Sequence, residues 1–409
     1  MILSGSFVRR KSKSACFTLA VSTLLHTFCA TPGSKARAAS TDLPWSQRMA
    51  DSEMQRRGIS IAYQKGGKAV WGYETGLFLQ SLLRIGERTG LQKYSDYVNT
   101  IMDSFVNPDG SIQSYDPAEY NLDQINSGKA VLALYHKTRQ DKYKKAAFLL
   151  MKQLETQPRT REGGFWHKKI YPWQMWLDGI YMASPFYAEF SKTFNRPKGF
   201  DDVADQILFI ARHTRDAKTG LFYHGWDESK VQKWADPMTG CSPNFWGRAM
   251  GWYAMGIVDV LEYLPAEHSK RARIVSLFQT MVHDLVKFQD SETGLWYQVM
   301  DQGKKSGNYL EASASSMFVY AMAKGVRRHI LGQEYVAVAR KAHEGILRHL
   351  VVTDPEGSVH LTQICKVAGL GGKPYRDGSY TYYVNEPRVS DDLKGVGPFI
   401  LASLEIEGL

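Results

Sequence analysis

The chain has 409 residues, of which 44% are hydrophobic and 12% aromatic, a composition that predicts a globular protein with a large core. Its formal net charge is +10, but six of its Lys and Arg residues, and none of its acidic residues, fall within positions 1–38. Without that segment the charge is +4 and the cations are dispersed. This excludes a strong electrostatic case for nucleic-acid binding and remains compatible with an acidic substrate.

The first segment has the pattern of a secretory signal peptide, which we place at residues 1–38. A basic stretch, "VRRKSKS", precedes the apolar run "ACFTLAVSTLLHTFCA", and "ARA" at 36–38 is a small-x-small cleavage pattern. The apolar run is short for a membrane span, so we expect export to the periplasm or the medium and no membrane anchor. Removal of the segment leaves Cys241 and Cys365, which allows at most one disulfide.

Along the rest of the chain, a glycine followed by aromatic or β-branched residues recurs after helical runs. We call these places the glycine stops; they cover 107–115, 162–169, 218–226, 292–300 and 355–361. Glycine suits the left-handed residue that ends a helix, and the residues after it can pair briefly as strand. The spacing leaves room for two helices in each repeat.

Between the glycine stops lie runs that are apolar nearly all round, as in buried helices. They cover 74–90, 127–138, 178–194, 247–264, 313–328 and 395–409. Each has a more amphipathic partner, such as 200–214 or 273–289. Six buried helices alternating with half-exposed ones predict an all-α fold, an (α/α)6 barrel with a single domain over residues 39–409. An open α-solenoid would give a similar pattern, but the chain ends on an apolar run without a polar cap, which favours a closed ring.

If the helices alternate in direction, all the inner helices begin on the same side, where their positive ends favour anions. Polar and aromatic residues collect at these predicted helix starts: Trp71, Tyr73, Glu74, Asn121, Asp123, Asn126, Trp173, Trp176, Asp178, His224, Trp226, Trp246, Arg248, Trp252, Glu311, Ser313, Ser315, Asp391, Asp392 and Lys394. This set is typical of a pocket for a sugar acid. Tryptophans stack on sugar rings, Arg248 could hold a substrate carboxylate, and an aspartate could donate a proton.

Each of these residues also has a purely structural explanation. Asp178 and Asp123 are preferred helix caps, and a capping aspartate at 178 could still be an acid. His224 could be an ordinary loop histidine, and Arg248 could bridge inner helices. The tryptophans could belong to the core, and the cluster at 311–315 is more typical of a polar helix start. Their common position on one rim favours the functional interpretation.

Other chemistries lack their motifs. The sequence has no glycine-rich loop followed by Lys-Ser/Thr, no H-E-x-x-H and no C-x-x-C, so we expect no nucleotide, metal or other cofactor. The serines at 312–316 lack the glycines of a nucleophile elbow. The acidic stretch at 116–124 lacks the spacing of a calcium loop.

Several motifs in order resemble a known family. "MWLDGIYMASPFYAEF", "YHGWDES", "FWGRAMGWYAMGIVDVLEYLP", "EASASSMFVYAMAKGVRR" and "KGVGPFILA" are similar to those of the unsaturated rhamnogalacturonyl hydrolases, glycoside hydrolase family 105. The similarity runs from about residue 45 to the C-terminus. The resemblance implies an (α/α)6 barrel, in agreement with the repeat pattern.

The resemblance also implies a mechanism. Enzymes of this family act on oligosaccharides left by polysaccharide lyases, which carry a sugar acid with a C4–C5 double bond, and they hydrate that bond. By this match Asp178 is the general acid and base and Asp123 is the second catalytic aspartate. The candidate substrate-binding residues are His224, Arg248, Trp176 and Trp252 by the match, with Trp246 and Asn121 added from their place at the predicted rim.

Several functions stay open at this level. Unsaturated galacturonyl-rhamnose from pectin is the first candidate substrate; unsaturated glucuronyl groups of ulvan-like polymers or glycosaminoglycans are alternatives. A non-catalytic sugar-acid-binding protein on the same barrel and a conventional glycosidase with two carboxylates are further alternatives. The segment 354–394 is predicted to form part of the mouth. No pattern in the sequence predicts the oligomeric state.

Overall fold

The computed structural model describes residues 42–62 and 69–409, so the predicted signal peptide lies outside the described residues. The α-helices are α1 (Trp45–Arg57), α2 (Tyr73–Thr89), α3 (Gln92–Phe105), α4 (Gly128–Thr138), α5 (Asp141–Thr156), α6 (Leu177–Thr193), α7 (Lys198–Thr214), α8 (Gly247–Tyr263), α9 (Arg271–Val286), α10 (Ala312–Arg327), α11 (Glu334–His349), α12 (Tyr380–Asn385) and α13 (Leu393–Ile406). Short antiparallel pairs join β1 (Gln174–Trp176) to β2 (Gly225–Asp227), β3 (Val351–Thr353) to β4 (Val359–Leu361), and β5 (Ile364–Cys365) to β6 (Arg388–Val389).

The long helices form two concentric rings. Within the described residues, the inner ring consists of α2, α4, α6, α8, α10 and α13, each packed against the next, and α13 packs back against α2. The outer helices α1, α3, α5, α7, α9 and α11 pack around them. The predicted (α/α)6 barrel is therefore confirmed, and contact between the last and first inner helices makes it a closed ring rather than an open solenoid.

The inner helices are inner because they are apolar on every side. In α8 every residue from Gly247 to Leu261 is buried, whereas α7 buries one face and exposes the other. Small residues let the inner helices approach closely. A Cβ atom added at Gly76 of α2 would lie 2.0 Å from Oγ of Ser127, next to the start of α4.

The glycine stops are turns between an outer helix and the following inner helix. Their glycines have φ between +76° and +101°: Gly110, Gly163, Gly220, Gly294 and Gly357. The sequence suggested that these glycines end the helices, but they do not. For example, α3 ends at Phe105 and Gly110 follows in a turn. The brief pairing expected at these places is present as isolated β-bridges, for example between Arg215 and Phe222.

The inner helices all begin at one end of the barrel. Arg248 of α8 lies 3.4 Å from Ser313 of α10, and Lys394 of α13 lies 3.7 Å from Glu74 of α2. The opposite end has a charged cavity of about 370 Å³ lined by Arg84, Glu87, Arg88, Glu262, Tyr320, Lys324, Arg327, Arg328, Leu401, Leu404 and Glu405. The predicted common mouth is thus present. Across the described ranges, no helix combines the length and apolarity that crossing a membrane requires.

Candidate active site

A short β-ladder places Asp178 beside His224. Trp176 at the end of β1 pairs with Gly225 at the start of β2. Leu177, which follows β1, therefore lies opposite His224, which precedes β2. The backbone N–H of Leu177 donates to the carbonyl of His224 at 3.0 Å. As a result, Oδ2 of Asp178 lies 3.2 Å from Nε2 of His224.

Asp178 does not cap its helix. The helix α6 begins at Leu177, its cap residue is Trp176, and no side chain supplies a capping hydrogen bond. The predicted capping role is therefore wrong, because Asp178 lies inside the first turn and its side chain, 13% exposed, reaches the mouth. Although the two atoms are close, neither Oδ2 of Asp178 nor Nε2 of His224 has a hydrogen-bond partner among the described residues. Buried polar atoms without partners are costly and are characteristic of functional sites.

Asp123 occupies a different environment. It lies on the 3₁₀ turn Leu122–Ile125, where Asn121 is the cap and accepts a hydrogen bond from the backbone of Asp123 at 3.1 Å. Its carboxylate pairs with Nζ of Lys168 at 2.6 Å and with Nε2 of His167 at 3.3 Å. Burial acts to raise the pKa of Asp123, but Lys168 and His167 outweigh it and hold that pKa well below its usual range. Asp123 is therefore a carboxylate at neutral pH and not a cap.

Sequence reasoning missed Lys168 and His167, although a signal for them exists. His167 follows Gly163 by four residues, as His224 follows Gly220 by four residues, in successive glycine stops. The equivalent turns thus present one histidine to each aspartate. Burial acts to lower the pKa of Lys168, but the Asp123 carboxylate outweighs it, so the pKa is raised.

Trp176 connects the two aspartate environments. Its ring stacks on His167 with centroids 4.6 Å apart and on Tyr171 at 4.8 Å, and it meets His224 edge-on at 5.4 Å. Only 6% of Trp176 is exposed. Trp176 thus contacts both histidines; its role in stacking on a sugar stays a prediction.

Arg248 bridges two inner helices, α8 and α10, which was the structural alternative to a binding role. Its guanidinium donates to the carbonyl of Cys365 and to Ser313 of α10, and lies 4.8 Å from the ring centroid of Trp246. Arg248 is 1% exposed, and its Nε has no hydrogen-bond partner within the described part of the chain. The structure therefore brings Arg248 to the mouth but leaves its proposed contact with a carboxylate as a prediction.

The other predicted aromatic residues pack around this centre. Trp252 is 1% exposed and stacks on Tyr181 at 4.9 Å. Trp246 is equally buried, lies 4.7 Å from the His224 ring and donates its indole N–H to Gln298 at 3.1 Å. Both tryptophans are buried and pack against residues around the site; direct contact with substrate stays a prediction for them.

Some rim candidates have other roles. Glu311 caps α10 by accepting from Ala314 at 2.6 Å, which confirms the predicted polar helix start, and Asp392 caps α13. Trp173 is 36% exposed and packs on Trp166, and Trp226 stacks on His213 at 3.7 Å. No contact joins either tryptophan to Asp178 or Asp123 among the described residues, so the structure does not place them in this centre.

The C-terminal segment covers one side of the mouth, as predicted. Arg376 donates to the hydroxyl of Tyr171 at 2.7 Å and lies 6.0 Å from the Trp176 ring. The hydroxyl of Tyr383 on α12 lies 2.8 Å from Nδ1 of His224.

The C-terminal segment also carries Cys365, which is buried and free, as is Cys241, so the two do not form a disulfide. In residues 42–62 and 69–409, no three His, Cys, Asp or Glu side chains converge as metal ligands.

A closed (α/α)6 ring is the architecture of the six-hairpin glycosidases, and in this chain two carboxylates lie at its mouth. The profile of Glycosyl Hydrolase Family 88 matches residues 45–409, and the chain belongs to this family. A solved structure of a family 105 glycoside hydrolase from C. acetobutylicum ATCC 824 is 45% identical, with a TM-score of 0.86 over 90% of this chain and 100% of the other.

Two curated relatives carry names that describe an activity. An unsaturated rhamnogalacturonyl hydrolase, YesR of Bacillus subtilis, is 26% identical over 68% of this chain and 75% of the relative. An unsaturated 3S-rhamnoglycuronyl hydrolase of Formosa agariphila is 25% identical over 58% of each chain. The resemblance to family 105 is confirmed, and the protein is a glycoside hydrolase of the unsaturated glycuronyl type.

Proposed function

We propose that the protein removes a 4,5-unsaturated galacturonic acid, linked to rhamnose, from the non-reducing end of pectin-derived oligosaccharides. The observation that carries this proposal is the unequal pair of carboxylates. Asp123 is held ionised by Lys168, whereas Asp178 faces His224, whose pKa burial lowers, so that the imidazole is neutral. Two carboxyl groups in such different surroundings can divide the work of acid and counter-charge.

In the proposed reaction Asp178 delivers its proton to C4 of the double bond, and positive charge develops at C5 and the ring oxygen. Asp123, fixed as an anion, stabilises that charge. A water molecule adds at C5 and returns its proton to Asp178, which restores the acid. The hemiketal that forms rearranges and expels the rest of the oligosaccharide. Neither the anomeric carbon nor the glycosidic oxygen is attacked directly.

The substrate carboxylate needs a cation at the mouth, and we assign that role to Arg248. Its Nε–H is a buried donor without a partner among the described residues, next to Trp246. A planar guanidinium is well suited to a carboxylate. Lys168 is less suited to this role because its charge is engaged by Asp123 at 2.6 Å.

The name of the Bacillus subtilis relative supports a galacturonyl-rhamnose substrate. The name of the Formosa agariphila relative favours a second candidate, an unsaturated glucuronic acid linked to rhamnose. Galacturonic acid and glucuronic acid differ in their configuration at C4, and this difference is lost when the C4–C5 double bond forms. A substrate series would therefore distinguish the linkage and the aglycone.

The test follows the ultraviolet absorbance of the conjugated double bond during incubation with an unsaturated galacturonyl-rhamnose disaccharide. We expect the absorbance to fall with wild type and to persist with Asp178→Asn, with the circular dichroism spectrum unchanged. A fall in absorbance only with unsaturated glucuronyl-rhamnose or unsaturated glycosaminoglycan disaccharides would transfer the proposal to that substrate. Hydrolysis of the saturated disaccharide at an equal rate would overturn the hydration mechanism, and no reaction with any of them would overturn catalysis by this site.

We further propose that the protein is exported by cleavage after residue 38. The support is the sequence pattern of residues 1–38 alone. Mass spectrometry of the protein produced from the full chain in its native host would show an N-terminus at Ala39. An intact N-terminal segment in the cytoplasmic fraction would overturn the proposal.

A further inference from the structure

A tyrosine from the C-terminal segment lies directly behind the histidine of the site. The hydroxyl of Tyr383 is 2.8 Å from Nδ1 of His224, and the opposite ring nitrogen, Nε2, is 3.2 Å from Asp178. Both Tyr383 and His224 are 0% exposed. We propose that Tyr383 is a positioning residue that fixes the tautomer of His224, so that the N–H at Nε2 faces the Asp178 carboxyl group. This inference rests on the proposed role of Asp178.

The available protons allow one consistent arrangement. Burial lowers the pKa of His224, so its neutral ring carries a single N–H, and burial raises the pKa of Tyr383 well above its usual value, so its hydroxyl keeps its proton. Among the described residues, His224 is the only hydrogen-bond partner of that hydroxyl. Tyr383 therefore donates to Nδ1, and the ring proton lies on Nε2.

The opposite tautomer fails on the tyrosine side of the ring. With the proton on Nδ1, the hydroxyl proton of Tyr383 would be buried without an acceptor among the described residues. This carries the cost of an unsatisfied buried polar group. With the proton on Nε2, the N–H can turn to Asp178 as that residue loses its proton to the substrate and can stabilise the carboxylate that forms.

The barrel holds Tyr383 in place through its backbone and its ring. Gln298, 0% exposed, donates to the carbonyl of Tyr383 at 3.1 Å and accepts from Trp246 at 3.1 Å. The Tyr383 ring lies parallel to the Trp246 ring at 5.9 Å. Gln298 follows Gly294 by four residues, the position that His167 and His224 occupy in their own glycine stops. The fourth glycine stop thus supports the third through Tyr383.

The decisive variant is Tyr383→Phe, which keeps the ring and its stacking but removes the hydroxyl. The matched control is Tyr382→Phe, on the same helix, whose hydroxyl accepts from the backbone of Gly369 at 3.1 Å. On the unsaturated disaccharide that wild type consumes, we expect kcat to fall roughly 10- to 100-fold for Tyr383→Phe with KM unchanged. We expect the control to stay within about twofold of wild type, since its hydroxyl bonds to Gly369 and Glu386 and has no hydrogen bond to His224 among the described residues.

A second measurement needs no substrate. In protein labelled with ¹⁵N-histidine, the ring signals of His224, assigned from their loss in His224→Gln, report which nitrogen carries the proton. We expect protonated Nε2 in wild type and a mixture of tautomers in Tyr383→Phe. A protonated Nδ1 in wild type, an unchanged kcat in Tyr383→Phe, or equal losses in both tyrosine variants would overturn the inference. A correct tautomer in a protein inactive on every unsaturated disaccharide would support Tyr383 as the tautomer-setting residue and overturn the proposed function instead.

Discussion

At the scale of single residues, the site depends on giving two aspartates different neighbours. Asp123 has a lysine and a histidine within ion-pair distance, whereas Asp178 has a histidine that burial keeps neutral. Its neighbours therefore hold Asp123 as an anion, and we propose that Asp178 is the group that exchanges a proton with the substrate. The proposed division of roles follows from these contacts and not from the aspartates themselves.

The role of Lys168 can be tested with Lys168→Met, which keeps the length of the side chain but removes the charge. The pKa of Asp123 is held low by Lys168, so without it Asp123 takes up a proton at a higher pH, and activity should be lost earlier on acidification. We expect the acid limb of the pH profile of kcat/KM to move to higher pH, with a loss of roughly 100-fold at acidic pH.

The matched control for this prediction is Lys169→Met, because Lys169 is exposed and lies over the ring of Tyr120 at 6.0 Å. Its pH profile should coincide with that of wild type. An acid limb that stays in place in Lys168→Met would show that the lysine does not control the charge of Asp123.

At the scale of elements, the turns between outer and inner helices supply candidate site residues, and the inner helices supply the packing. The glycine stops deliver His167, His224 and Gln298 from equivalent positions, while β1 and β2 bring Asp178 to His224. The inner helices must in turn approach closely enough for these turns to meet. Gly76 on α2 is one place where that approach has no room for a side chain.

We therefore expect Gly76→Ala to destabilise the protein by about 2–3 kcal/mol, because its Cβ would meet both Oγ and Cα of Ser127 at 2.0 and 2.6 Å. The control on the same helix is Gly86→Ala, where the nearest atom is Oγ of Ser95 at 3.3 Å. That change should alter stability by less than about 1 kcal/mol, since alanine also favours the helix. Urea unfolding of both variants would measure the difference, and equal stabilities would contradict the packing argument.

At the scale of the whole molecule, the ends of the described barrel close on each other. The helix α13 packs between α10 and α2, and Glu407 accepts hydrogen bonds from the backbone and hydroxyl of Ser46 at 3.0 and 2.7 Å. A terminal helix in an open array touches one neighbour and frays, whereas one in a closed ring is held on both sides.

Native-state hydrogen exchange can test this closure. We expect the amides of α13 to be protected as strongly as those of α6, on the opposite side of the ring. We also expect Phe399→Ala, which removes a fully buried ring of α13, to lower the protection of both helices by the same amount, about 3–5 kcal/mol. Exchange of α13 well before α6 would instead indicate an open, fraying end.

Much of this architecture was predictable because it depends on local patterns. A helix that is apolar on every side can only be buried, so the runs at 247–264 and 313–328 indicated α8 and α10 to within a residue or two. The alternation with amphipathic partners then predicted the two rings. The sequence also placed Asp178 and Asp123 at helix starts and His224 on a glycine stop, in agreement with the resemblance; their catalytic and binding roles stay predictions.

What the sequence by itself determined is the order of the helices, which of them are inner, and the end at which polar residues collect, because each of these follows from periodicity along one stretch of chain. Only the tertiary structure decided that neither Asp178 nor Asp123 is a cap, that Lys168 and His167 fix the charge of Asp123, and that Tyr383 lies behind His224. The last of these joins residues 159 positions apart. Side-chain partners of this kind depend on how turns that are distant in sequence meet at the mouth of the closed ring, and no local sequence pattern specifies those contacts.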